Sequence, residues 1–235
     1  YPSSTLTEAQ KEYIEDWISQ FEKVLTSFDA NNQAYGYKNY IDVDSFAQHF
    51  LINELLMNTD AGQLSTYYVK DIRGKIKIVG WDYNNVLNNY FPDLLDKQLI
   101  YSVNAWNSYL LRDEDYVDTV IKMYYKLRET YFSEEYLYNY IDETVAYLGD
   151  AIDRNYEKWG YVFTDEYIYD ETREPGDSPL KVLSPYERNP HSHEEAVNYM
   201  KEVFRIRCEY LDHTIESLRA RSHPSVNKQF RMDEE

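Results

Sequence analysis

A mainly helical α+β fold, with one short β-hairpin set among the helices, is what this sequence predicts. Three observations predict it. Apolar residues recur at three- and four-residue spacing along most of the chain. A single strand, turn, strand pattern interrupts them over residues 66–79. Finally, 43% of the 235 residues are hydrophobic, enough to bury a full core in one large domain or the greater part of one. Residues 1–221 read as that folded unit and 222–235 as a polar tail.

The first helix opens on Thr7 with Gln10 three residues later, a capping-box pattern. Ile14, Trp17, Ile18, Phe21, Val24, Leu25 and Phe28 then repeat at helical period. Residues 31–40 are polar, with Gly36, and read as a connection. Asp42 or Asp44 caps a second helix, 45–57, which is apolar almost all round and therefore expected to be buried. Strands at 66–70 and 75–79 flank a turn at 71–74 that contains Gly74. Three further helices are expected at about 93–111, 114–131 and 134–158. Ser133 caps the last, whose core stripe is Leu137, Ile141, Val145, Leu148 and Ile152. Residues 160–190 hold several Pro and Gly and keep no period, so they form a long irregular segment. Ser192 with Glu195 opens a final helix reaching about Arg221, with Phe204, Cys208, Leu211, Ile215 and Leu218 on its buried side.

Composition narrows the function. The 42 acidic and 24 basic residues give a net charge of −18, which opposes the phosphate neutralisation that dominates nucleic-acid affinity, so nucleic acid is set aside as a partner. An acidic field favours divalent cations and basic protein segments, and equally serves solubility. The 26 tyrosines supply large apolar bodies with a polar tip, mainly a structural signal. No apolar run approaches the length of a bilayer, so no membrane span is expected. Cys208 is the one cysteine and excludes an internal disulfide.

The chemistry-bearing stretch is Asn58-Thr59-Asp60, the hairpin, then Trp81-Asp82-Tyr83-Asn84. An acidic residue after a buried helix, a short loop, a hairpin and a second acidic residue is the order in which protein kinases place a proton-accepting Asp and a metal-holding Asp. The hairpin returns Asp60 and Asp82 to one end of the sheet. Taken alone the order is weak, because Asp residues beside a hairpin are often turn residues.

Its context is more specific. Tyr40-Ile41-Asp42-Val43-Asp44-Ser45-Phe46, Phe50-Leu51-Ile52-Asn53-Glu54-Leu55, Asn58-Thr59-Asp60 with Leu64-Ser65-Thr66-Tyr67, and Trp81-Asp82-Tyr83-Asn84 closely resemble the bacterial CotH family of spore-coat and secreted kinases. The resemblance continues more weakly through Arg154-Asn155-Tyr156 and Trp159 to the last helix. It implies a protein-kinase-like C-lobe that transfers phosphate from ATP to protein hydroxyls with Mg²⁺, acting on a coat or cell-surface protein outside the cell. Asp60 then matches the catalytic Asp and Asp82 the metal-binding Asp. Ser65, Asn84 and Asn89 fall at positions that serve the metal and nucleotide. Ser65 stands where many relatives carry Asn, Asn84 where many repeat an acidic residue, and Asn88 where Gly is common. The kinase N-lobe would precede Tyr1, so the chain is expected to be the C-terminal part of a longer protein.

Two rival readings accompany this one: a non-catalytic, pseudokinase-like assembly module of the coat or cell surface, favoured by Ser65 and Asn84, and a structural Ca²⁺ site on the acidic face. His191-Ser192-His193-Glu194 reads as a helix start rather than a metal cluster, and Asp42 and Asp44 as helix caps.

Overall fold

A computed structural model of the protein describes residues 5–62, 64–87, 96–101, 105–168 and 190–224. Its helices are α1 (Glu8–Leu25), α2 (Val43–Leu56), α3 (Ala105–Leu110), α4 (Glu114–Arg128), α5 (Glu134–Leu148), α6 (Asp150–Trp159), α7 (Asp165–Ile168) and α8 (His193–Thr214). A two-stranded antiparallel sheet of β1 (Tyr67–Val69) and β2 (Lys77–Val79) lies between α2 and α3 in sequence. The mainly helical α+β expectation holds. Among the described residues no helix is long and apolar enough to cross a membrane.

The helix starts follow their capping chemistry. Thr7 and Gln10 close the capping box of α1, while Asp42, Asp113, Ser133 and Ser192 each accept a first-turn N–H of the helix that follows. Asp42 therefore caps α2, and the His191–Glu195 segment is a helix start, with the Glu195 N–H donating to Ser192 Oγ at 3.1 Å.

α2 is the central element and packs against α4, α8 and β2. Its Phe46, Ala47, Phe50, Leu51 and Leu55 join Tyr116, Val117, Val120, Ile121 and Tyr124 of α4 in one core with Phe204, Cys208 and Leu211 of α8. Leu211, Ile215 and Leu218 are fully buried and Phe204 nearly so, in the expected phase. Cys208 is buried as well, and burial pushes its thiol up to about 11, the state of an inert core residue.

The hairpin hangs from the start of α2. The Asp42 N–H donates to the Ile76 carbonyl and the Ile76 N–H to the Tyr40 carbonyl, both at 2.8 Å, and the Ile78 N–H donates to Ser45 Oγ at 3.3 Å. Ile76 and Ile78 enter the core. β1 stays open to solvent along its length.

Four expectations change. α1 stops at Leu25 and Phe28 is 88% exposed, because the Thr26 and Ser27 hydroxyls donate to the carbonyls of the last turn. The helix expected at 93–111 is short. Residues 88–95 and 102–104 lie outside the described residues, 96–101 run in turns, and α3 covers only Ala105–Leu110. The backbone there is held by side chains, since the Ile100 and Tyr101 N–H groups donate to Glu54 and the Gln98 carbonyl accepts from Arg207. The helix expected at 134–158 breaks at Gly149, whose φ of 47° belongs to no helix, and Leu148 is exposed. The last helix tightens into a 3₁₀ segment, Ile215–Arg221.

Candidate active site

Two loops carry the candidate residues. The first leaves α2 at Met57 and runs through Asp60 and Ser65 to β1; the second leaves β2 at Gly80 and runs through Asp82 to Leu87. They are laced together at two points, and a third bond ties the second loop to the end of α2. The Asn85 amide donates to Asp60 Oδ2 at 2.7 Å, Ser65 Oγ approaches Asp82 Oδ2 at 3.5 Å, and the Leu87 N–H donates to the Leu56 carbonyl at 2.7 Å. Asp60 and Asp82 therefore sit on one loop junction, as the strand order on either side of the hairpin implied.

The junction is strained. Among the described residues, four non-glycine residues adopt positive φ: Met57 at 56°, Ser65 at 41°, Asp82 at 52° and Leu87 at 58°. All four lie in these two loops. Such a conformation costs an L-residue of order 1–3 kcal/mol and persists where the surroundings over-determine it, a pattern that concentrates at functional sites.

The first loop is tightly turned. The Ala61 N–H donates to the Asn58 carbonyl, the Leu64 N–H to the Asp60 carbonyl, and the Gly62 N–H to Thr66 Oγ1 at 2.6 Å. These bonds fix the backbone under Asp60 and bring Ser65 round to Asp82. In the second loop Trp81 meets Tyr67 of β1 edge to face at 5.1 Å. Leu64, Tyr67 and Trp81 are exposed in this part of the molecule.

The donor set suits a hard cation. Asp82 is exposed and meets the Ser65 hydroxyl only at a long 3.5 Å, so its carboxylate has lone pairs to offer, and Ser65 adds a hydroxyl oxygen. Among the described residues no three His, Cys, Asp or Glu side chains gather as a metal cage. A cation held here would draw most of its ligands from a bound group or water, the usual habit of Mg²⁺ with phosphates.

Asn84 stands exposed in the turn, and Asn88 and Asn89 lie outside the described residues. Asn85, passed over in the sequence reading, supplies the amide that meets Asp60. The second Asn of an Asn-Asn turn pair carries no signal that separates it from a turn former. Asn58 was missed too: its Oδ1 accepts the Asp60 N–H at 3.2 Å while its amide donates to Oδ1 of the buried Asn53 at 2.9 Å. For Asn53 a signal existed, since an amide in a helix that is apolar all round is the informative kind of buried residue.

Residues 2–211 match the family model described as CotH kinase protein. No curated protein and no solved structure matches the chain.

Proposed function

The chain belongs to the CotH kinase family, and from that premise we propose that it is a phosphotransferase moving the γ-phosphoryl group of Mg-ATP to a hydroxyl of a protein at the spore coat or cell surface. The observation that supports this most directly is the lacing of the two strained loops, which gives Asp60 and Asp82 different surroundings at one junction. Asp60 is oriented by the Asn85 amide, as a proton acceptor needs to be. Asp82 is open and turned toward Ser65, as suits a metal-holding carboxylate.

In transfer the acceptor oxygen forms a bond to phosphorus, the bond between that phosphorus and the ADP oxygen breaks, and the hydroxyl proton passes to Asp60. Mg²⁺ bound with the nucleotide supplies neutralisation of the phosphate charge, and Asp82 with Ser65 would hold it. The exposed aromatic pair Tyr67 and Trp81 offers a purine a face on which to stack.

Two variants test the assignment on the intact protein. Asp82→Ala removes an oxygen ligand and is expected to weaken Mg-ATP binding in calorimetry and to abolish transfer. Asp60→Ala is expected to leave binding nearly unchanged and to slow transfer by roughly 10²–10⁴-fold, the range for a positioned base. Wild type that binds Mg-ATP but labels no protein hydroxyl under any divalent metal would favour the assembly-module reading. That reading draws its support from Ser65, a serine where many relatives carry Asn, and from Asn84, where many repeat an acidic residue.

A further inference from the structure

We propose that the cavity between α2 and α4 is a binding site for a small amphipathic carboxylate, whose head group is taken by His49 and two lysines of α4. The cavity stands apart from the candidate active site, since none of Asp60, Ser65 and Asp82 lines it.

Its volume is about 850 Å³, within the range of sites that enclose a small organic molecule. Ile52 of α2, Ile78 of β2, Met123 and Leu127 of α4, and Phe132 give it an apolar lining, which gains from being covered by an apolar body. Lys122 and Lys126, one turn apart on α4, line it as well. Although the chain carries a net charge of −18, Asp44 is the one carboxylate among the described lining residues. Lys126 is exposed and makes no ion pair among the described residues, and Lys122 reaches Asp118 only at 3.9 Å. Both ammonium groups are therefore available to an anion.

The hydrogen-bond network fixes what His49 presents. The Asp60 N–H must donate, so Asn58 Oδ1 accepts it at 3.2 Å and Asn58 Nδ2 donates to Asn53 Oδ1 at 2.9 Å. Asn53 Nδ2 is then the donor that lies 3.2 Å from His49 Nδ1, and it also donates to the His49 carbonyl at 2.7 Å. Nδ1 accepts, which leaves the proton of the neutral ring on Nε2. Burial keeps the ring neutral, with His49 5% exposed and its pKa lowered to about 4. Nε2 has no hydrogen-bond partner among the described residues. Nor is it sealed, because the sealed and unpartnered side-chain atoms among those residues are Trp17 Nε1, the Tyr37 and Thr59 hydroxyls and Asp113 Oδ2. The Nε2–H is thus open on the cavity that His49 lines, and it favours a ligand that brings an acceptor.

Three donors over an apolar lining fit an anion with an apolar body. A carboxylate fits better than a phosphate monoester, since Asp44 and the field of the whole chain oppose a second negative charge. Gly80 and Tyr83, on either side of Trp81 and Asp82, form one wall, and a Cβ on Gly80 would come within 2.9 Å of the Tyr83 hydroxyl. A bound ligand would therefore touch the Asp82 loop from outside the active site.

Calorimetry of the intact protein without nucleotide tests the site with dodecanoate, naphthoate, dodecanol and dodecyl phosphate. Both carboxylates are expected to bind saturably at one site, and dodecanol about tenfold more weakly than dodecanoate. His49→Phe keeps a ring but removes the donor, and should weaken dodecanoate by about tenfold. Lys122→Met with Lys126→Met should weaken it by about threefold, the smaller effect of exposed charges. Met123→Trp fills the cavity from a partly buried wall and should abolish binding. If His49→Phe does not fold, the lysine pair and Met123→Trp still decide. In hydrogen–deuterium exchange, dodecanoate should protect the peptides covering 44–52, 78–83 and 119–132. Saturable binding by neither carboxylate, dodecanol equal to dodecanoate, dodecyl phosphate tighter than dodecanoate, variants that bind like wild type, or protection elsewhere overturns the proposal. None of these measurements requires ATP or transfer, so the site is judged separately from the phosphotransfer reading.

Discussion

Arg207 and Glu54 have no side-chain exposure, yet the two are charged and meet at 2.7 Å. Burial pushes the Glu54 carboxyl up and the Arg207 guanidinium down, and each partner's charge opposes the shift of the other. Two backbone N–H groups on Glu54, with the Glu54 and Gln98 carbonyls on Arg207, complete the hydrogen bonding that a buried pair requires. Removing one partner strands the other, so Arg207→Leu is expected to cost about 3–5 kcal/mol in urea unfolding. Glu54→Leu should cost a similar amount, and the double variant less than the sum; simple additivity would mean the two do not act as a pair. His49 adds a pH dependence. Burial lowers it from 6.5 to about 4, so between those values the unfolded chain binds a proton that the folded chain refuses. Stability from this group is present above pH 6.5 and is lost as pH falls toward 4. His49→Gln is expected to flatten that slope in urea midpoints taken at pH 7 and pH 5, and an unchanged slope would assign the loss to carboxylates.

Among the elements, those with local causes were legible in the sequence. α1, α2, α4, α5 and α8 begin where a Ser, Thr or Asp stands before a periodic run, and most of α2 is buried because its apolar residues cover nearly every side, leaving Asp44 and Gln48 exposed. Long-range causes were not legible. The turns at 96–101 exist because Glu54 and Arg207 take their backbone groups, and nothing within that segment announces partners on α2 and α8. The site divides the same way. The order around Asp60 and Asp82 was readable, whereas the amides of Asn53, Asn58 and Asn85 depend on which loop lies against which. The break at Gly149 lies between, since a lone Gly in a helical pattern is often tolerated. Here φ is 47° with ψ −131°, open to Gly but strained for any side chain, although a Cβ would meet only the Ala146 carbonyl oxygen at 3.7 Å. Gly149→Ala is therefore expected to lower stability by about 1–2 kcal/mol through backbone strain alone. A gain in the denaturation midpoint would instead show that α5 and α6 can join as one helix.

Over the whole molecule, the excess of 18 negative charges sets a self-repulsion that local pairs only partly relieve. Several pairs are short-range and exposed, such as Arg205 with Glu202 and Glu209, and contribute little. Screening should therefore help more than it harms. Raising NaCl from about 0.1 M to about 1 M shortens the screening length from about 10 Å to about 3 Å and is expected to raise Tm by a few degrees. A fall in Tm would mean that surface pairs outweigh the net charge. The Glu54–Arg207 pair also has a consequence in time, because its partners stand 153 positions apart in the chain. A ribosome delivers α2 long before α8, and until residue 207 has cleared the exit tunnel the Glu54 carboxylate has no cation to bury against. The nascent chain must keep α2 wet or sheltered by a chaperone, and the loops that hang from α2 cannot set before then. Synthesis thus makes the Asp60–Asp82 junction among the last parts of the protein to become rigid.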